Sequence, residues 1–423
     1  MPVPIPYTLY LYTRTVTAFY PFAFLRLRSG QVALCRIGTL TFIVLATAFL
    51  TGCYTTSKIS NQNLSYIYWK ESSILHPEFR VYHENDSISR LFCHINPREL
   101  LFSREGEQAG FSAHYSLSYK LFPSYESKEL LDSGTFNHLV LKSDEDTGIY
   151  NSFPFRAPFQ GTYLLEVVIN DLKRKQFAKS FIDVDKRTFY NNQNYMANYK
   201  GDGKTVFKSY VTSNEVIIVQ PNPDTRVGTN ALFLQYYIDD FPVAAPPFSV
   251  RDPHSFNSRP DSTARFLAGS SHKIEITFSK NGIYHLKSDT LSREGLAFFR
   301  YDDYFPKMTS AEQLIAPLRY ITTRQEYSEL LMLENKKTAL DNFWLNITGN
   351  PDRGKKVIKQ FYMRVQDANR YFSSYLEGWK SDRGMIFIVY GPPDVVYKNT
   401  FSENWIYGEE GNLTSVNFSF VKV

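Results

Sequence analysis

Residues 377–394, EGWKSDRGMIFIVYGPPD, combine a tryptophan, an acidic and basic turn, an apolar run and a Gly-Pro-Pro sequence. The run MIFIVY at 385–390 is apolar throughout, which predicts a strand buried on both faces. Gly391, Pro392 and Pro393 are expected to end that strand, because proline has no amide to continue a hydrogen-bonded ladder. The stretch is therefore expected to lead from a helix into a buried strand.

An apolar stripe before this stretch predicts the helix. From residue 355 onward, apolar side chains recur at steps of three and four, which is typical of an amphipathic helix packed on its own domain. The stripe consists of Ile358, Phe361, Tyr362, Val365, Ala368, Phe372 and Tyr375. Gly378 follows it, where a left-handed C-cap would favour glycine. Trp379 is then expected to anchor the helix end against the sheet.

The polar residues of the stretch admit a structural and a functional interpretation. Ser381 or Asp382 would bond the amides of the turn, and Arg383 would pair with a nearby acid. Asp382 and Asp394, at opposite ends of a strand, would lie ~20–27 Å apart, whereas paired glycosidase carboxylates lie within ~10 Å. No catalytic set is predicted, although one carboxylate with Trp379 would suit a ligand groove. The residues of this ligand or structural motif are Gly378, Trp379, Ser381, Asp382, Arg383, Gly391, Pro392, Pro393 and Asp394.

Several spaced elements around this stretch together resemble the GWxTD domain. They are ALDNFW, FYMRVQDANRYF, GW, DRG and YGPPD, and the resemblance covers residues 336–423. Ser381 stands where the family's name has threonine, which keeps the hydroxyl. The resemblance implies an exported, lipoprotein-type chain from Bacteroidota, with β regions before a small α+β domain. It assigns no activity.

The N-terminal region has the pattern of an export signal. Arg36 is followed by fourteen uncharged, mostly apolar residues, IGTLTFIVLATAFL, and then by Thr51, Gly52 and Cys53. A run of this length suits a signal peptide and falls short of the ~20 residues that span a bilayer. The end, LTGC, resembles a bacterial lipobox, so residues 1–53 are predicted to be a leader with acylation at Cys53. A plain secretory signal is the alternative.

The residues after Cys53 favour a membrane-anchored protein of the cell envelope. Residues 54–75 are polar and aperiodic, which predicts a tether. No acid occurs in YTTSK at 54–58, which favours an outer-membrane lipoprotein facing the periplasm. Residues 1–52 carry four arginines and no acid, so without them the formal net charge falls from +5 to +1. The remainder has no basic run, and a nucleic-acid partner is not expected.

The body of the chain is predicted to be mainly β with a helical segment. Alternation in FSAHYSLSYKLF and a 16% aromatic content favour two immunoglobulin-like β-sandwiches, at 76–188 and 203–306. Surface aromatic residues binding carbohydrate are the alternative. A long loop at 251–265 is a candidate binding segment. Capping-box spacings at Thr309 with Glu312 and at Thr323 with Glu326 predict a helical linker over 307–335, before the domain at 336–423.

Other chemical motifs are incomplete. GDGKT at 201–205 lacks the first glycine of a phosphate-binding loop, so no nucleotide is expected. The histidines have no zinc-ligand spacing, SDEDTG at 143–148 suits an acidic turn, and Cys93 suits a small buried apolar group. No cofactor or metal is predicted. The expected function is a non-catalytic scaffold or binding module with an envelope protein partner; the alternative is a glycan-binding or glycan-processing envelope protein, and whether the chain is an enzyme stays open.

Overall fold

The computed structural model describes residues 7–10, 57–69, 73–104, 106, 110–142, 148–222, 231–238, 241–246, 259–267, 273–349 and 351–422. Cys53, residues 143–147 of the acidic turn and residues 251–258 of the predicted loop lie outside these residues. Among the described helices, none is long and apolar enough to cross a membrane. The first strand, β1 (Tyr7–Tyr10), pairs antiparallel with the last strand of the C-terminal sheet, although it lies in the predicted leader and would be absent after cleavage before Cys53.

The first sandwich follows the predicted alternation of apolar and polar residues. One sheet contains β2 (Glu78–His83), β3 (Ile88–Ile95) and β7 (Ile149–Arg156). The other contains β4 (Ser103–Arg104), β5 (Phe111–Phe122), β6 (Asp132–Leu141), β8 (Thr162–Asp171) and β9 (Gln176–Asp185). Tyr115, Leu117 and Leu121 of β5 are fully buried, and they pack with Leu91 and Ile95 of the facing sheet.

The second sandwich begins before residue 203. Its smaller sheet contains β10 (Tyr195–Tyr199), β12 (Val216–Pro221) and β15 (Ile274–Thr277). Its larger sheet contains β11 (Tyr210–Val211), β13 (Ala231–Tyr237), β14 (Ser262–Leu267), β16 (Gly282–Lys287) and β17 (Leu296–Arg300). β14 occupies the last part of the segment expected to be a loop. The polar segment before 203 thus contributes a strand, because Ala197 and Tyr195 are buried in this core.

The C-terminal domain packs helices on a small antiparallel sheet. The helices are α1 (Ala311–Ile315), α2 (Arg324–Met332), α3 (Lys336–Thr348), α4 (Pro351–Phe372) and α5 (Asp382–Tyr390). The sheet contains β18 (Val395–Lys398), β19 (Ser402–Tyr407) and β20 (Val416–Lys422) together with β1, in the order β1-β20-β19-β18. The apolar stripe of α4 is confirmed as far as Phe372, since Phe361, Val365, Ala368 and Phe372 are buried in the domain core, while Tyr375 lies beyond the end of the helix.

The helix starts agree with one of the two predicted capping boxes. Thr323 and Glu326 form the reciprocal box at the start of α2. The other box is made by Ser310 and Gln313, so the prediction for Thr309 and Glu312 is wrong by one residue.

The strand predicted at 385–390 is wrong, because these residues belong to α5. Ser381 is the N-cap, and its Oγ accepts a hydrogen bond from the amide of Gly384 at 3.0 Å. Gly391 ends the helix at φ +89°, with its amide donating to the carbonyl of Phe387 at 2.8 Å. Residues 384–388 are all buried, so this helix shows no polar face in its sequence.

Residues 57–69, expected to belong to a tether, pack into the C-terminal domain instead. Two 3₁₀ turns bring Ile59, Leu64 and Tyr68 into the same core as α4 and β19, and Leu64 is 0% exposed. The amide of Leu64 donates to the carbonyl of Val396 at 2.8 Å. The indole Nε1 of Trp69 donates to the carbonyl of Pro393 at 2.9 Å. The segment is therefore an integral layer of the domain.

Removing the buried side chain of Leu64 should destabilise the C-terminal domain, whose helices begin more than two hundred residues later. Leu64→Ala is expected to lower the free energy of unfolding by about 2–5 kcal/mol, through lost burial and a cavity. Urea unfolding together with hydrogen exchange of peptides from β18 and β19 measures this. Lys58→Ala, at an exposed position of the same segment, is the control. Unchanged exchange in β18 and β19 for Leu64→Ala would contradict the packing.

Candidate functional site

The glycine and tryptophan of the motif fill a close approach between chain segments. Gly378 is not among the described glycines with positive φ, and α4 ends at Phe372, so the predicted left-handed C-cap is wrong. A Cβ on Gly378 would lie 2.0 Å from the carbonyl oxygen of Ala368. The reason for glycine is therefore contact with the last turn of α4, where any side chain would clash.

Trp379 is a buried anchor, as predicted, with all its polar groups bonded. Its amide donates to Oδ1 of Asn369 at 3.0 Å, and its indole donates to Glu377 at 3.1 Å. Its carbonyl accepts a hydrogen bond from the hydroxyl of Tyr320 at 2.9 Å, and the two rings meet edge to face. The ring therefore meets Tyr320 of the 3₁₀ turn at 316–320 and belongs to the core that α4 and the sheet share.

Ser381 and Asp382 form the start of α5 and have different environments. The Ser381 hydroxyl donates to the carbonyl of Gly378 at 2.7 Å and accepts from Gly384, so both its hydrogen-bonding roles are used. Asp382 follows in the first helical turn. Burial raises the pKa of the Asp382 carboxyl to about 6. No hydrogen bond or ion pair joins this carboxylate to another of the described residues.

Arg383 pairs with a buried acid, as predicted, and the acid is Glu403. The guanidinium lies 3.3 Å from Glu403 Oε2 and over the ring of Phe372 at 5.0 Å. The Nζ of Lys398 lies 3.4 Å from the same oxygen. On the other side, Glu403 Oε1 accepts from the indole of Trp405 at 2.9 Å and from the hydroxyl of Tyr68.

The cluster of Glu403, Arg383, Lys398, Tyr68 and Trp405 keeps one carboxylate ionised inside the core. Glu403 is 0% exposed, and burial alone would raise its pKa. The two cations outweigh that effect, with help from both hydrogen-bond donors, and lower the pKa to about 2. A carboxylate that stays ionised and fully bonded cannot exchange protons near neutral pH, so this cluster is a structural centre.

The Gly-Pro-Pro-Asp end of the motif lies at the other end of α5. The carbonyl of Gly391 accepts from the Tyr407 hydroxyl at 2.8 Å, and the carbonyl of Pro393 accepts from Trp69. Asp394 Oδ2 accepts from the amide of Gly408 at 2.8 Å. Pro392 and Pro393 lead from the helix into β18. These residues therefore terminate a helix and start a strand, the reverse of the predicted order.

The structure thus divides the predicted motif between two places. Trp379, Ser381, Asp382 and Arg383 lie at the N-terminal end of α5, and residues 391–394 lie at its C-terminal end. The separation estimated for Asp382 and Asp394 assumed a strand and does not apply to a helix. The two carboxylates still lie at opposite ends of one element. They do not form a paired acid and base.

The residues that sequence reasoning missed are the partners of the motif. Glu403, Lys398, Asn369 and Tyr68 each bond a motif residue or the Glu403 cluster. The only local signal is the spacing of Glu403 and Trp405, which puts their side chains on one face of β19. Tyr68 has no such signal, because it is 335 positions from Glu403.

Three other reactive groups among the described residues, Cys93, Lys186 and His83, are buried. Cys93 is a buried apolar group, as predicted, and burial raises the pKa of its thiol to about 12. At the junction of the sandwiches, burial lowers the pKa of Lys186 to about 8 while its Nζ donates to the carbonyl of Asn85 at 2.5 Å. His83, beside it, bonds Ser89 and the carbonyl of Asp185. In the described parts of the chain, no group of three or more acidic, histidine or cysteine side chains has metal-binding geometry.

The comparison with protein families identifies the C-terminal region. The family described as the GWxTD domain matches residues 282–423. The chain therefore contains a GWxTD domain, preceded by β-rich regions. The match starts at the first residue of β16, upstream of residue 336, so it includes the end of the second sandwich. No curated protein sequence matches the chain.

Two solved structures show remote similarity. A red sea bream transglutaminase aligns over 54% of this chain and 31% of its own length, at 10% identity and a TM-score of 0.19. A Bacteroides uniformis β-glucuronidase aligns over 32% of this chain and 15% of its own length, at 12% identity and a TM-score of 0.17. The chain spans about a third of the transglutaminase. TM-scores this low give no basis for an argument about function.

Removing the charge of Glu403 should lower the free energy of unfolding. Glu403→Gln leaves Arg383 and Lys398, which are 19% and 21% exposed, against a buried neutral amide, and we expect a loss of about 3–5 kcal/mol at pH 7. The pKa of Glu403 is lowered when folded, so its contribution is complete above the unfolded pKa of about 4.3 and is lost as pH falls towards 2. The difference between variant and wild type should shrink over that interval, measured by urea unfolding.

The control for this experiment is a pair on the surface. Lys200 and Glu275 lie 2.8 Å apart and are about half exposed. Glu275→Gln is expected to cost less than about 1 kcal/mol. Equal effects of the two substitutions, or a Glu403→Gln effect that is constant down to pH 2, would show that the buried cluster is not a stabilising centre.

Proposed function

We propose that the protein is a membrane-anchored lipoprotein of the cell envelope that acts as a non-catalytic scaffold or binding module. The proposal places it at the outer membrane of a member of the Bacteroidota, facing the periplasm and assembling with an envelope protein. The lipobox-like LTGC at 50–53 and the GWxTD domain support this view. Two successive sandwiches before that domain are an architecture typical of spacers and binding surfaces.

The main support for the proposal is the structural role of the motif side chains. The distinctive side chains of the GWxTD motif are used to hold the domain together, with Asp382 as the exception. The Trp379 indole bonds Glu377, the Ser381 hydroxyl bonds the backbone of Gly378 and Gly384, and Arg383 bonds Glu403. A motif committed to packing and ion pairing leaves few groups for chemistry on a substrate, which favours a role in assembly.

The first test separates anchoring from assembly. Cells expressing the full chain are fed an alkyne fatty acid; the wild type is expected to incorporate the label, and Cys53→Ser is expected not to. The acylated protein is then crosslinked in mild detergent, and an envelope partner should be recovered and should capture this protein in return. An unlabelled wild type would refute the lipoprotein assignment. A labelled, monodisperse monomer without any crosslinked partner would refute the scaffold.

A second candidate function is glycan binding or processing in the envelope, favoured by Asp382. The carboxylate is largely buried, with a pKa of about 6, and no described residue bonds it. Tyr320 and Tyr375 are close enough for its charge to raise their pKa values in addition to the effect of burial. A carboxylate beside tyrosine rings is a combination that suits sugar hydroxyls.

Asp382→Asn distinguishes the two candidates. Burial raises the folded pKa of Asp382, so the ionised carboxylate opposes folding above about pH 6, and this opposition disappears as pH falls below the unfolded pKa near 3.9. The variant should gain about 1–2 kcal/mol at pH 7, because the helix N-terminus offsets part of the burial cost. Unfolding measured at pH 7 and pH 4 checks this.

The same variant is incubated with peptidoglycan and polysaccharides. Retention or turnover by wild type that is lost in a stable Asp382→Asn variant would establish the glycan role. Neither retention nor turnover by wild type would eliminate it and leave the scaffold.

A further inference from the structure

The packed N-terminal segment leaves a short connection to the lipidation cysteine. Ser57 is the first described residue of that segment, and Cys53 is four positions earlier. Four residues span at most about 14 Å when extended. This inference rests on the proposed acylation of Cys53. Given that acylation, the part of the GWxTD domain nearest to Ser57 must lie close to the lipid headgroups.

The contacts between the N-terminal segment and β18 show which end of the domain lies nearest to Ser57. Trp69 bonds Pro393, before β18 begins, and Leu64 bonds Val396 within β18. The segment therefore runs antiparallel to β18, so its earlier residues lie towards the end of that strand. Ser57 accordingly lies on the side of the turn between β18 and β19.

A loop of the first sandwich packs against the same end of the C-terminal domain. The amide of Ser60 donates to the carbonyl of Tyr125 at 3.0 Å. The next residue, Glu126, accepts from the amide and the hydroxyl of Thr400, both at 2.9 Å. The N-terminal segment (57–69), the loop at 124–131 and the turn between β18 and β19 thus lie side by side.

Large apolar side chains are exposed on both of these connections. Phe401, in the turn, is 73% exposed, while the side chain of Asn399 fixes the turn by accepting from the amide of Phe401 at 2.8 Å. Leu130, in the loop, is 51% exposed. Lys58 in the segment and Lys128 in the loop are also exposed, as is Glu129 between Lys128 and Leu130. Apolar side chains with neighbouring lysines suit the boundary between lipid headgroups and acyl chains.

We propose that the β18–β19 turn and loop 124–131 form a membrane-contacting face of the GWxTD domain. Phe401 and Leu130 enter the interfacial layer of the bilayer, and the acyl chains of Cys53 hold the face against it. The anchor then fixes the domain in one orientation. A flexible tether of 22 residues, as expected from the sequence, would leave the domain free to rotate.

The test places a fluorescent probe on the full-length acylated protein in phosphatidylethanolamine and phosphatidylglycerol vesicles. An environment-sensitive probe is attached to Phe401→Cys, to Leu130→Cys and, as a control, to Leu413→Cys. Leu413 is a fully exposed leucine in the turn between β19 and β20, at the opposite end of β19. Native Cys93 is buried and should not react, and the unsubstituted protein checks this.

Probes at 401 and 130 are expected to emit at shorter wavelength and to be quenched by lipids carrying nitroxides. The probe at 413 is expected to behave as in water. Vesicle-bound protein in which 401 and 130 are as water-exposed as 413, or in which all three are quenched alike, overturns the proposed face. Acylated protein that fails to float with the vesicles overturns the anchoring itself, so the two failures are told apart.

Discussion

The buried carboxylate of Glu403 is the interaction on which the C-terminal domain depends. Removing an ion from water costs several kcal/mol, and only close cations and hydrogen bonds offset that cost. These come from α5 through Arg383, from β18 through Lys398 and from the N-terminal segment through Tyr68. The helix, the sheet and the segment therefore each supply part of what keeps this carboxylate ionised. Arg383 belongs to the motif because it completes this set.

Helix α4 could be predicted from the sequence and α5 could not, because only α4 has a polar face. A helix that alternates between core and solvent shows a period of 3.6, whereas a short helix buried all round shows an uninterrupted apolar run like that of a buried strand. The information that distinguishes them lies at the ends of α5. Ser381 caps the amide three residues later, and Gly391 takes a positive φ at the C-terminus. Both residues suit a strand boundary equally well, so the sequence alone predicts a strand between them.

The two sandwiches could be predicted from the local alternation of apolar and polar residues. The role of residues 57–69 could not, because it depends on partners far along the chain. Ile59 and Leu64 are isolated apolar residues in a polar sequence, and Tyr68 lies in the short run YIYW at 66–69, which has no helical or strand periodicity. What they fill is a surface created by β18 and β19, more than three hundred positions away. Similarly, residue 378 must be glycine because the carbonyl oxygen of Ala368 comes too close for a side chain in the folded domain. Local turn propensities do not indicate a contact of this kind.

Asp382 remains the residue of the motif that architecture does not explain. Ser381 already caps α5, so the helix start does not need a second acceptor. Burying a carboxylate without a described partner costs free energy, as its raised pKa shows. The other motif side chains lower the energy of the fold, whereas this one raises it. A strained or unsatisfied polar group within an otherwise consistent core is where function is most often found. Among the described side chains of the motif, the Asp382 carboxylate is therefore the group that its own fold leaves without a structural role.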